Sequence, residues 1–272
     1  MFGAGRVGRG ITRALRAAGV TVTLRAARTG LPPKIDANLV VLAVRDCDLG
    51  ATARRIADAG AIDKRAAAVH VAGALDARVL DPLRPACAGV GQMHPLVSFA
   101  SMTKSPRVAE ARVHIHGDAI AVARARRAAK LMGMIPWTNT RLDTVRYHAA
   151  AGLVANGAAA LAAVGAELLV AAGVPRRSAV RMLGPLLHSV ADNVAALGFP
   201  DALTGPVRRG DVSTVEHHLR TILAANPDAR ELYIASARTQ LHLARQLEDA
   251  LPINLDHIEQ VLASYSPLRS KD

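Results

Sequence analysis

The chain has 272 residues, about half of them hydrophobic, so it can bury cores in two domains. Its formal net charge is +12, but the excess is nearly all arginine scattered through an alanine-rich background. That scatter lacks the stripe or motif of a nucleic-acid binder, and two isolated cysteines, Cys47 and Cys87, support neither a disulfide framework nor a metal site.

Gly3-Ala4-Gly5-Arg6-Val7-Gly8 has the G-x-G-x-x-G spacing of a dinucleotide-binding turn. The first glycine permits the turn, the second admits a pyrophosphate, and the third lets helix and strand pack closely. Gly3, Gly5, Arg6, Val7 and Gly8 are therefore candidate pyrophosphate contacts. Only Met1 and Phe2 precede the turn where a buried strand is expected, and this predicts a native start upstream. Arg9–Ala18 has helical spacing closed by Gly19, and Val20–Leu24 follows as a β-branched strand. About 20 residues beyond Gly8 stands Arg28, where an acid would read the NAD ribose and an arginine accommodates the 2′-phosphate of NADP. NADP is the expected cofactor, with a solvated arginine as the alternative for Arg28.

Leu39–Val44 is a continuous apolar run, the pattern of a parallel strand buried on both faces. Asp48–Ala59 returns to helix, and Ala67–Val71 is a second buried strand ended by Gly73. Val90–Met93, Val113–Ile115 and Ile135–Trp137 are shorter strands, with a helix over Ile120–Leu131. This alternation predicts an α/β domain, a doubly wound parallel Rossmann sheet over residues 1–141. Ligands bind such sheets beyond the carboxyl ends of the strands. The loop Ala43-Val44-Arg45 is therefore expected to pass the nicotinamide half. His94, in the loop after the Val90–Met93 strand, is a candidate for substrate binding or for turn stabilisation. His70, inside an apolar strand, reads as a core residue.

From Leu142 the strand signal ends, and residues 142–272 read as an all-helical domain. Asp143 is positioned to cap a long helix that closes at Gly173. Tyr147–Ala172 carries one formal charge, Glu167, and its alanine and glycine content favours a helix buried in a soluble domain over a membrane span. His148 and Asn156, two turns apart, share a face of this helix as candidate catalytic or structural polar groups. A second helix runs from Pro175 to Gly198. Thr204, Arg209 and Asp211 form a rigid polar loop suited to a carboxylate or phosphate, with Asp211 or Ser213 also placed to cap the next helix. Further helices start at Asn226-Pro227 and at Asn254.

Several motifs occur together. They are the glycine turn, Gly73, Met93-His94-Pro95, Tyr147-His148-Ala149-Ala150, Asn156, Leu203-Thr204-Gly205-Pro206, Arg209-Gly210-Asp211 and His218. Over essentially its whole length the chain resembles bacterial Rossmann-like proteins carrying the C-terminal domain of unknown function 2520. These lie within the 6-phosphogluconate dehydrogenase-like and ketopantoate-reductase-like clan. The two cysteines fit a reduced cytoplasm, and the resemblance implies an NAD(P)-dependent oxidoreductase, a homodimer formed through the helical domain, and ketopantoate reduction as a nearby activity. The clan's catalytic lysine, one turn before its asparagine, falls at Gly152, and the chain has Ala72 where the family tends to have serine before Gly73. His148 is then the candidate general acid, with Asn156 polarising the carbonyl. The expected reaction is NADP-dependent reduction of a small 2-oxo acid or related carbonyl. A non-catalytic NADP-binding or sensor protein is the alternative.

Overall fold

A computed structural model describes residues 1–265, and these divide into two compact units between Ala155 and Asn156. In the first unit five strands lie in the order β1 (Leu39–Leu42), β2 (Ala67–His70), β3 (Gly89–Pro95), β4 (Arg112–Gly117) and β5 (Ile135–Trp137). All neighbouring pairs are parallel except β3 with β4. The expected parallel sheet holds in every pair but that one, across which β4 and β5 run opposite to β1, β2 and β3. Chain leaving β3 crosses to β4 through residues 96–111 with no helix between them, and β4 runs back along β3.

The sheet continues beyond β1 as single bridges. Phe2 pairs in parallel with Leu42 on one side and with Arg25 on the other. The expected strand over Val20–Leu24 reduces to that bridge at Arg25. Met1 and Phe2 offer only two residues for pairing: the Arg25 N–H reaches Met1 O, and the Gly3 N–H reaches Arg25 O. The chain therefore leaves Phe2 for one side of the sheet, at Arg25, and returns to the other side, at β1. The reversal of strand order falls between Phe2 and β1, immediately below Gly3.

Helices α1 (Arg6–Ala17), α2 (Leu49–Asp58) and α3 (Ala119–Leu131) cover the sheet. Ile11 and Leu15 of α1 pack with Val41, Val69, Met93 and the alanines of α3 on one face. Leu49, Ala53 and Ile56 of α2 pack with Phe2, Val40 and Leu42 on the other. These apolar residues recur at three and four positions, so each helix turns one stripe onto the sheet. Short 3₁₀ segments fill Asp46–Asp48 and Ala77–Ala86. The second lies in sequence without clear periodicity, because Pro82 and Pro85 forbid a regular α-helix.

Helix α4 (Thr144–Ala171) begins in the first unit, where the Asp143 carboxylate accepts the N–H groups of Val145 and Arg146. In the second unit, α4 is followed by α5 (Arg176–Leu197), α6 (Val212–Ala225), α7 (Pro227–Ala244) and α8 (Pro252–Ser264). Gly198 ends α5, and Asn226 caps α7, which stops at Ala244. Val215, Leu219, Ile234, Leu241, Leu255 and Ile258 make the core shared by α6, α7 and α8.

The reading of α4 as a buried core helix is overturned. Only Ala166 is buried along α4, and Leu153 and Val154 are 77% and 72% exposed. Helix α5 likewise buries only Ala179 and exposes Val180, Met182, Leu186, Val190 and Leu197. Apolar periodicity shows that a face wants burial, but it does not say whether the same chain covers it.

Candidate functional site

The glycine turn is built as a cradle. Gly3 holds φ +109°, a conformation that disfavours any side chain, and a Cβ there would fall 2.2 Å from Ala43 O. A Cβ at Gly8 would lie 1.9 Å from Gly3 O, so the first turn of α1 sits directly on the carbonyl of the turn's first glycine. Gly5 is different: it caps α1 at φ −76°, is exposed, and a Cβ would meet nothing within 4 Å. Packing explains Gly3 and Gly8 but not Gly5, whose bare backbone borders open space at a helix N-terminus. The first turn of α1 carries no acid, and its N–H groups make a natural anion site. These features fit a dinucleotide pyrophosphate.

The loop after β1 abuts the turn, with Ala43 and Val44 against Gly3. Ala43 and Val44 are half-buried, while Arg45 is exposed and paired with Asp48, N–H to carboxylate 2.8 Å. Arg6 and Arg28 are exposed.

A second cluster forms around Gly73, after β2. A Cβ at this position would lie 2.2 Å from His148 Nδ1 and 2.7 Å from His94 Nε2, so two imidazoles converge on a backbone without a side chain. Their ring centroids are 5.7 Å apart. His94 also meets the Tyr147 ring edge-on at 5.4 Å, and Tyr147 touches His114 and Trp137 at 5.9 and 5.8 Å. Burial first, then the neighbouring histidines, pushes His94 down to about 4, so it is neutral near pH 7. Burial alone raises the Tyr147 phenol, which stays protonated. His94 Nδ1 and the Tyr147 hydroxyl are buried without a protein partner, a rare condition in a native fold.

Gln92 holds this cluster in register. Its amide nitrogen donates to Ala72 O at 2.8 Å and Leu75 O at 2.7 Å, clamping the Gly73 loop. Its oxygen faces His114 Nδ1 at 3.0 Å, and the other ring nitrogen, Nε2, lies 3.3 Å from Asn139 O. The Thr144 hydroxyl donates to Ala74 O, tying the start of α4 to the same loop. His70 is fully buried and donates to Asp76 O from Nε2 at 3.0 Å, but its Nδ1 is unpartnered, so the core residue is half satisfied.

The first unit thus brings together His94, His148 and Gly73. Among the other expected residues, Asn156, Thr204, Arg209 and Asp211 belong to the second unit. Asn156, Thr204 and Arg209 are exposed. Asp211 caps α6, accepting from the Thr214 N–H at 3.0 Å and hydroxyl at 2.7 Å. Among the described residues no group of three His, Cys, Asp or Glu side chains could hold a metal ion. Sequence reasoning gave no role to Gln92, His114, Trp137 or Tyr147. The available signal was a glutamine and a histidine inside otherwise apolar strand segments.

Residues 111–240 match the family model described as "Domain of unknown function (DUF2520)". No curated protein matches the chain. Among solved structures, a Bacteroides fragilis protein provisionally described as an NADP oxidoreductase is 21% identical, with a TM-score of 0.71 over 88% of this chain and 95% of that one. Protein TM1727 from Thermotoga maritima is also 21% identical, with a TM-score of 0.64 over 90% and 97%. Plasmodium falciparum pyrroline carboxylate reductase, solved with NADP bound, is 11% identical, with a TM-score of 0.57 over 97% of each chain. These likenesses establish a shared fold.

Proposed function

The chain carries a DUF2520 domain behind a Rossmann sheet, and from that premise we propose that it is an NADP-dependent oxidoreductase acting on a small 2-oxo acid or related carbonyl. The observation that carries this reading is the unexplained openness at Gly5, at the point where strand order reverses, with converging imidazoles in the same unit. Gly3, Gly5, Val7 and Gly8 would cradle the pyrophosphate, Arg6 would face it, Arg28 would take the 2′-phosphate, and Ala43, Val44 and Arg45 would flank the nicotinamide half. When bound, the reduced nicotinamide supplies a hydride.

The chain's own residues then have to hold the carbonyl and provide a proton. His148 is the proposed general acid, donating to the oxygen as negative charge develops there. Neutral His94 contributes a hydrogen bond rather than a charge. Asn156 and Thr204 are proposed as polar contacts to the substrate. Arg209, exposed and on a glycine- and proline-bounded loop, is the proposed partner of its acid group, while Asp211 orders that loop by capping α6. Rate enhancement would rest mainly on positioning.

The apolar side chains left exposed along α4 and along α5 support a homodimer through the helical unit, since so many large apolar groups open to water favour a partner. Helix α4 is also long and apolar enough to cross a membrane. Its alanine-rich composition and the matching exposed face of α5 favour a second copy of the chain as the cover. Free Cys47 and Cys87 suit a reducing cytoplasm.

One observation favours a non-catalytic NADP-binding protein. The position of the clan lysine is Gly152, and α4 contains no lysine. Assays of NADPH and NADH oxidation against ketopantoate and a panel of 2-oxo acids separate the readings. Turnover supports the reductase, and NADPH binding with no turnover across the panel supports the sensor.

A further inference from the structure

The loop after Arg25 is braced from a neighbouring helix. Thr29 closes a turn onto Ala26 O through its N–H at 3.1 Å and its hydroxyl at 2.7 Å. Arg55, on the outer side of α2, donates from Nη2 to Ala27 O at 2.8 Å across 28 positions of sequence. The brace fixes the Arg55 side chain against the residue immediately before Arg28. From Leu24 to Lys34 the loop contains no Asp or Glu. Among the described residues neither Arg28 nor Arg55 enters an ion pair, whereas Arg45, Arg65, Arg78 and Arg84 each find a carboxylate.

Arg55 is held on the backbone carbonyl next to Arg28 with neither cation paired to a carboxylate, and an anion shared by the two would offset their repulsion. The Arg55 guanidinium has five N–H donors, and the brace to Ala27 uses one nitrogen. A phosphate monoester, with about −1.5 to −2 charges near pH 7, suits such a paired fork. The position relative to the glycine turn specifies which phosphate. Arg25 bonds the Gly3 N–H, so the braced loop leaves the sheet right beside the pyrophosphate cradle, on the side away from β1.

We infer that Arg55 is the second arm, with Arg28, of a phosphate-monoester site that reads the 2′-phosphate of NADP. The inference rests on the NADP reading above and deepens it, because it places nucleotide selectivity on a helix that carries none of the glycine motif. The brace to Ala27 taken alone would order the loop for either nucleotide. Two arms predict an effect confined to ligands carrying the 2′-phosphate.

The test is calorimetric titration of the chain with 2′,5′-ADP and with 5′-AMP, which differ only by the 2′-phosphate, for the wild type, Arg55→Ala and Arg55→Lys. The expected result is a wild type that prefers 2′,5′-ADP. Arg55→Ala should weaken 2′,5′-ADP by at least ~10-fold and leave 5′-AMP unchanged. Arg55→Lys, which keeps the charge and loses the fork, should fall between. Equal weakening of both ligands, or of neither, in both variants overturns the inference. A wild type that binds the two ligands equally also overturns it, while leaving the glycine turn standing. A wild type that binds neither refutes the nucleotide-binding function itself.

Discussion

Replacing Gly5 and Gly8 separately by alanine divides the turn into its folding part and its binding part. At Gly8 the new Cβ would lie 1.9 Å from Gly3 O and 3.3 Å from Ala43 Cβ. Neither neighbour is a flexible side-chain tip, so the start of α1 must move away from the turn by more than an ångström. Overpacking of this kind costs about 1–3 kcal/mol, which in a chain of this size lowers Tm by roughly 2–4 °C for each kcal/mol. At Gly5 the new methyl meets no atom within 4 Å, and φ of −76° accepts alanine. Stability there should hold or rise by up to about 1 kcal/mol, because the unfolded chain loses freedom. The same methyl would stand where the pyrophosphate must approach, so NADPH affinity should fall at least ~10-fold, or about 1.4 kcal/mol. Thermal melts and NADPH titration by nucleotide fluorescence measure both quantities. A Gly5→Ala protein that keeps its Tm and binds NADPH as tightly as the wild type would refute the cradle.

Other expectations concern the second cluster and the helical unit. His94 has a folded-state value of about 4 against an ordinary 6.5, so the unfolded chain takes up the proton first as pH falls. Its contribution to stability is complete above pH 6.5 and is lost between there and pH 4. The loss is about 3 kcal/mol at ~1.4 kcal/mol per unit, and His94→Asn should flatten that part of a urea-denaturation series. His148→Ala should abolish carbonyl reduction and leave NADPH affinity unchanged; retained turnover in steady-state assays would remove His148 from the reaction. Val190→Glu on α5 should convert a dimer to monomers in light scattering without lowering Tm, and an unchanged mass would place the interface elsewhere.

The sequence carried the local devices well. Asp143 caps α4, Asp211 and Asn226 cap α6 and α7, and Gly198 closes α5, because each cap depends on residues within a single turn. The glycine turn was legible for the same reason. Relations across strands were not. The antiparallel direction of β4 depends on the connection from β3, which no pattern inside β4 encodes. The roles of Gln92 and His114 depend on the register that sets Gln92 opposite His116 and His94 opposite His114. Met1 and Phe2 are the two residues opposite the β-branched segment, so pairing there reduces to the bridge at Arg25. The apolar face of α4 was visible in sequence, but whether its cover came from the same chain was not.

The central claim is that Gly3 to Gly8 and the loop carrying Arg28 form one NADP site. Isothermal titration of the full-length chain with NADPH and with NADH tests it most directly. The prediction is one NADPH site per chain, bound more tightly than NADH. The claim is contradicted if neither nucleotide binds, or if NADH binds more tightly than NADPH.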